Sequence, residues 1–238
     1  MNIENKTVFV SGANRGIGKA IVEELLKSGV KKIYAGARKV SSIPQWNDDR
    51  VVAVELDITN ESQIQAAAEK ASDVNLLINN SGVATFSSIL EGPISGVKND
   101  MDVNYYGTLN MVRAFVPILE KSKNAALVNV VTIGAFVNFP VLGGYCASKA
   151  ALFSMSQAAR IELAPRGISV HTVNPGPIDT DMAKDMDMDK TSTEVTAQNI
   201  IAGLKAGTAD IFPDPAGQGM FEVWKKDYRE LEKMVSQM

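Results

Sequence analysis

The sequence predicts a single α/β domain built on a parallel sheet, and three observations carry that prediction. Residues 7–10 form a β-branched run that passes through a glycine-rich turn into a helical apolar pattern, Ile21, Leu25 and Leu26. Residues 51–56 are a near-continuous apolar run, the pattern of a parallel strand covered on both faces, and further strand-like segments follow at 32–37, 74–78, 125–131 and 168–173. The chain has 238 residues, 45% of them hydrophobic, and no composition break that would serve as a linker, so residues 1–238 are expected to share one core.

Composition narrows the partners. The net charge of −3 comes from interspersed acidic and basic residues, so neither a nucleic-acid nor a membrane surface is expected. One cysteine, Cys146, cannot form an internal disulfide, and one histidine, His171, leaves no metal-ligand spacing, which points to no metal and to a reducing cytoplasm. Residues 1–6 are polar and run straight into the first strand, and no apolar stretch approaches the ~20 residues that span a bilayer. A soluble, unexported protein with small-molecule partners is the expectation.

In chain order, the turn Ser11-Gly12-Ala13-Asn14-Arg15-Gly16-Ile17-Gly18 lies between strand and helix. Glycines let the backbone approach a pyrophosphate, and a helix N-terminus offers unpaired N–H groups and positive potential. Gly12, Asn14, Arg15, Gly16, Ile17 and Gly18 are therefore candidate nucleotide contacts, although a tight turn without ligand has the same local pattern. The second strand, 32–37, ends in Arg38 where an NAD site would place a carboxylate for the ribose hydroxyls; Arg38, with Arg15 from the other side, suits a 2′-phosphate and favours NADP(H) over NAD(H), the alternative being a solvated basic turn.

Asp57 and Ile58 follow the third strand, at the edge where open α/β sheets bind ligands; Asp57 could also cap the helix expected over 62–71, as could Thr59 or Asn60. Asn79, Asn80, Ser81 and Gly82 leave the fourth strand, with side chains able to tie neighbouring loops together. One long helix is expected over 96–121, with Asn104 off its apolar stripe and kept for chemistry, for a local kink, or simply exposed. His171 reads as a core residue of the strand 168–173, and Asn174-Pro175-Gly176-Pro177 makes a rigid exit. Residues 184–193 read as a flap or exposed loop, 209–212 as a short edge strand, and 216–238 as a terminal helix with Phe221, Trp224, Tyr228, Leu231 and Val235 on one face.

Tyr145 and Lys149 are either an acid/base pair or the start of an ordinary amphipathic helix, in which such i,i+4 pairs are common. Four apart on a helix, they project from one face. A phenol titrates near ~10, too high for a base at neutral pH, and a neighbouring ammonium that lowers it makes a usable acid/base.

Ser11-Gly12-x-x-x-Gly16-Ile17-Gly18, Asn79-Asn80-Ser81-Gly82, Asn104, Tyr145-x-x-x-Lys149 and Asn174-Pro175-Gly176 stand in the order and near the spacing of the short-chain dehydrogenase/reductase family, a resemblance that covers residues 5–182. It implies a Rossmann-type doubly wound parallel sheet of six to seven strands flanked by helices, with a nicotinamide dinucleotide across the strands' carboxyl ends. By resemblance Tyr145 transfers the proton, Lys149 holds the nicotinamide ribose and lowers the tyrosine, and Asn104 holds a water of the relay. Asn80, Ser81, Gly82, Pro175, Ile178 and Thr180 are implied cofactor contacts.

The family's serine, which polarises the substrate carbonyl, is replaced by Thr132, thirteen residues before the tyrosine; a gapped alignment would place Ala135 there instead. The expected activity is an NADP(H)-dependent carbonyl reductase acting on a small hydrophobic aldehyde, ketone or secondary alcohol, in a homodimer or homotetramer. Phe86, Phe136, Val137, Phe139, Leu142 and Met182 are the candidate pocket residues. A cofactor-independent relative of the halohydrin dehalogenase kind and a non-catalytic NADP(H)-sensing module are the competing readings.

Overall fold

Seven parallel strands form the centre of the computed structural model, which describes residues 1–237. The strands are β1 (Thr7–Ser11), β2 (Lys32–Ala37), β3 (Val51–Glu55), β4 (Leu76–Asn79), β5 (Ala125–Val130), β6 (Ile168–Val173) and β7 (Asp210–Ile211), in the order β3-β2-β1-β4-β5-β6-β7. The chain winds outward from β1 to β3, returns to place β4 beside β1, and then winds the other way. This reversal opens a crevice above the carboxyl ends of β1 and β4, where sheets of this kind bind ligands.

Two apolar layers explain why the strands are apolar on both faces. Val8 and Val10 of β1 meet α1 (Gly16–Lys27) and α6 (Thr193–Ala206) through Ile21, Leu25, Ile200 and Leu204. Phe9, one residue out of phase, points to the opposite face, toward α2 (Glu61–Lys70) and α4 (Thr108–Leu119), where it meets Phe115 edge-on at 4.9 Å. Asn60 caps α2, its side chain accepting from the Gln63 amide. His171 is a core residue, with Nδ1 2.7 Å from the Thr208 carbonyl oxygen. No helix among the described residues is long and apolar enough to cross a membrane.

Several elements depart from the sequence expectation. The single helix over 96–121 is three segments: α3 (Ile94–Met101), a π-helical turn (Asp102–Gly107) and α4. The widened turn carries Asn104 inward to zero exposure. Helix α6 is unanticipated; Ser192 caps it, and Thr196, Ala197, Ile200, Ile201 and Leu204 bury its inner face. The terminal helix is two, α7 (Pro215–Lys226) and α8 (Tyr228–Val235), parted at Asp227, whose extended backbone (φ −155°, ψ 103°) ends one helix while its side chain caps the next.

Both terminal helices lie on the body. Leu231 and Val235 are buried with Val137, and Phe221 and Trp224 meet Phe136 edge-on at 5.2 and 5.3 Å. Phe136, Val137 and Phe139 therefore hold the terminal helices, which corrects their expected place in a substrate pocket.

A polar file crosses the sheet beneath the crevice. Asn79 Nδ2 donates to Asn129 Oδ1 at 2.9 Å, and Asn129 Nδ2 donates to Ser156 Oγ at 2.9 Å on α5 (Gly143–Leu163). Replacing Asn129 by leucine keeps the volume but strands the Asn79 amide, a cost of about 1–3 kcal/mol. A lower urea midpoint with an unchanged m-value is the expected result for Asn129→Leu.

Candidate active site

The crevice is floored by the glycine turn. Gly12 and Gly16 have φ of +65° and +54°, which side chains resist, and a Cβ on Gly18 would stand 2.2 Å from the Gly12 carbonyl oxygen. Helix α1 begins here with Arg15 at its N-cap and no side-chain cap, as α3 and α5 also begin, whereas α2, α6, α7 and α8 are each capped by a side chain. Its first-turn N–H groups are thus left for something else, and a pyrophosphate satisfies them. Asn14 and Ile17 are half-buried on the same turn.

Across the crevice, the β4 exit is tied to this turn. Asn80 Nδ2 donates to the carbonyl oxygens of Ser11 and Gly12 at 3.1 and 3.0 Å, while Ser11 Oγ accepts from the Asn80 and Ser81 amides at 3.0 Å each. Gly82 leaves a cleft in which a Cβ would stand 3.0 Å from Asn104 Oδ1 and 3.4 Å from Lys149 Nζ.

Asn104 and Lys149 stand beside Gly82, with Tyr145 next to Lys149 and Thr132 next to Tyr145. Asn104 donates from Nδ2 to the Val83 carbonyl (2.9 Å) and to Ser148 Oγ (2.8 Å), and its Oδ1 accepts from the Val83 amide (2.9 Å). Both side-chain donors are spent, so the side chain can offer a water only an acceptor. Lys149 is 3% exposed and donates to the Val130 carbonyl at 2.8 Å. Burial pushes its ammonium down to about 8.

Tyr145 is half-buried, and its ring centroid lies 6.0 Å from Lys149 Nζ. Burial raises the phenol; the Thr132 hydroxyl beside it opposes that rise, and the Cys146 and Asp100 charges add to it. The lowering expected from Lys149 is therefore not realised in the protein alone, because the ammonium is turned to Val130 and desolvation outweighs it. Tyr145 stands as an acid with its proton in place. Thr132, not Ala135, puts a hydroxyl beside the phenol; its Oγ1 donates to the Pro175 carbonyl at 3.1 Å and accepts from the Gly134 amide at 3.2 Å.

The remaining candidates surround this centre. Pro175 and Ile178 are buried at the β6 exit, and the Thr180 methyl would stand 3.3 Å from a Cβ on Gly16, so the β6 exit closes over the glycine turn. Arg38 is exposed at the end of β2, facing Asp57. Burial alone would raise the Asp57 carboxyl, but the Thr59 amide and hydroxyl and the Arg38 charge hold it below the usual carboxylate range. Ile58 packs into the core against Gly107, leaving only its backbone for a ligand.

Arg15 is paired with Asp181 at 2.8 Å, a partner the sequence did not announce because 166 residues separate them. Residues 178–191 are pinned at both ends, Thr191 donating to the Pro177 carbonyl and accepting from the Asp179 amide. Two further residues went unread: Ser148, which links Asn104 to α5, and Asp214, whose Asp-Pro start to α7 is a helix-capping signal.

A family model described as short chain dehydrogenase matches residues 6–191. The crystal structure of a short chain dehydrogenase from Burkholderia cenocepacia in complex with NADP superposes with a TM-score of 0.94 at 38% identity, covering 99% of each chain. A 3-ketoacyl-(acyl-carrier-protein) reductase from Brucella melitensis complexed with NADH shares the fold, with a TM-score of 0.81 at 24% identity, covering 89% of this chain and 98% of that one.

Estradiol 17-beta-dehydrogenase 2 of Rattus norvegicus is 32% identical over 208 residues, 81% of this chain, which spans 54% of that longer enzyme. A matched region that runs from the first strand through the β6 exit, with the glycine cradle and the Tyr145–Lys149 helix inside it, places the chain in the short-chain dehydrogenase/reductase family of oxidoreductases.

Proposed function

We infer that the protein is an NADP(H)-dependent carbonyl reductase that interconverts a small hydrophobic aldehyde or ketone and its alcohol. The observation that carries this reading is the convergence of Tyr145, Thr132, Asn104 and Lys149 beside an uncapped helix terminus and a glycine cradle. Bound nicotinamide would supply or take the hydride; the chain binds it, orients it and manages one proton. Gly12, Gly16, Gly18 and the α1 N-terminus would hold the pyrophosphate, and Lys149 the ribose. Tyr145, half-buried and protonated, would give its proton to the carbonyl oxygen, and the Thr132 hydroxyl would turn from the Pro175 carbonyl to become a second donor to that oxygen.

Arg38 is the main support for NADP(H). It is exposed and close enough to Asp57 for their charges to interact, while Arg15 is shared with Asp181. Phe86, Ile89, Leu90, Val141 and Met182 are exposed apolar residues, the first four on two adjoining loops, and they favour a hydrophobic substrate. The cradle disfavours a cofactor-independent relative, and consumption of NADPH with a panel of carbonyl compounds separates the reading from a sensing module.

Tyr145→Phe removes the transferred proton, and turnover should fall by about 10²-fold or more while NADPH still binds. Steady-state rates together with NADPH fluorescence titration check this pair of outcomes.

Arg38→Asp replaces attraction for the 2′-phosphate by repulsion. Charge-assisted contacts are worth roughly 1.5–3 kcal/mol each, so the kcat/KM ratio should move toward NADH by about a hundredfold. Kinetics with both cofactors before and after the substitution measures that ratio.

Lys149 makes stability depend on pH. In the fold it is pushed down to about 8, whereas an unfolded lysine stays charged to about 10.5. The burial penalty is fully present below pH ~8 and is relieved as pH rises, because the unfolded chain then binds the extra proton, with a slope of up to about 1.4 kcal/mol per pH unit. Urea midpoints of the ligand-free protein should therefore gain on those of Lys149→Met between about pH 7 and about pH 9.5.

A further inference from the structure

Asp214 lies at zero exposure between the terminal helices and the β6 exit. Its Oδ1 accepts from the Gly217 amide at 2.8 Å, capping α7, and its Oδ2 accepts from the Gly176 amide at 2.8 Å. The first turn of α7 is pressed so closely on residues 174–176 that a Cβ on Gly217 would stand 3.0 Å from the Gly176 nitrogen. The Gly176 N–H and the Pro175 C=O belong to one rigid peptide unit. On its far side, the Pro175 oxygen accepts from the Thr132 hydroxyl at 3.1 Å and from the Ile133 amide at 2.9 Å. The peptide is thus held between a carboxylate on its N–H and two donors on its C=O.

We propose that Asp214 is a positioning residue of the active site, acting through the Pro175–Gly176 peptide on Thr132. An anion on the N–H end polarises the amide and strengthens its carbonyl as an acceptor. The carboxylate therefore fixes the plane of the peptide and, through the bond to Pro175, the place and rotamer of the Thr132 oxygen, from which its one proton can turn to the substrate. Thr132 is the hydroxyl beside the Tyr145 phenol, so the aim of the substrate-facing oxygen is set from the C-terminal helix pair, 82 residues away in sequence (214 − 132). The catalytic part of this proposal rests on the carbonyl-reductase reading.

The test uses Asp214→Ser and Asp214→Asn. Both side chains cap helices well and keep the bond to Gly217. Neither accepts from both amides: serine is too short to span them, and asparagine has a single oxygen, so that its NH2 faces one of the two N–H groups. Each variant is read by amide hydrogen exchange at Ile133 in the ligand-free protein and by turnover in the Thr132 and Thr132→Val backgrounds.

The expected result is exchange at Ile133 faster by about tenfold, and kcat lower by about tenfold with Thr132 present but nearly unchanged with Thr132→Val. An Ile133 amide that exchanges as in the unmodified protein overturns the proposal. So does a kcat loss of equal size in both backgrounds, which is what a purely structural role gives. Failure of the unmodified protein to reduce any carbonyl would count against the functional reading alone, and the Ile133 amide would still decide the role of Asp214.

Discussion

Parallel pairing of β1 with both β2 and β4 is the constraint on which the molecule depends. Because parallel strands cannot be joined by a tight turn, each connection is a helix or long loop that must cross a face of the sheet. Reversing the direction of winding at β1 leaves a gap between the loops that leave β1 and β4, and no helix can fill it. The glycine turn and the Asn79–Gly82 segment face each other across that gap, stitched by Asn80 and the Ser11 hydroxyl. The cleft is a product of strand order, and the residues along it refine what it can hold.

Charge and burial oppose each other at its floor. Tyr145 and Lys149 are held where water is scarce, which raises the phenol and lowers the ammonium. The protein alone thus keeps the tyrosine protonated. The cost of burying Lys149 is met partly by the Val130 carbonyl. Asn104 reaches the same place through a π-helical turn, whose extra width rotates its side chain inward, where a regular helix would leave it off the apolar stripe.

Local patterns in the sequence were legible and long-range ones were not. The limits of β2 and β6 follow from short β-branched and apolar runs, the second bounded by Gly167 and by Asn174-Pro175. The glycine turn was legible as well: φ above zero and backbone contact at Gly18 leave little choice of residue. Apolar periodicity could not reveal the π-helical turn, since one widened turn shifts the phase without changing composition. Hydrophobicity placed Phe136, Val137 and Phe139 near a pocket but could not say that the terminal helices would cover them. Arg15 was read from its turn alone, and its partner Asp181 arrives from the segment that leaves β6.

The stitching by Asn80 also has a kinetic side. Its bonds to Ser11 and Gly12 join residues 69 and 68 apart in sequence, and Asn104 meets Ser148 across 44. Contacts of such separation form only after the intervening chain has been ordered, which makes them late events in the folding of a parallel sheet. The nucleotide cleft is therefore among the last regions to be completed. Recovery of dinucleotide binding during refolding should lag behind the return of helical signal, and a ligand that occupies the cleft holds shut the part of the molecule that would open first.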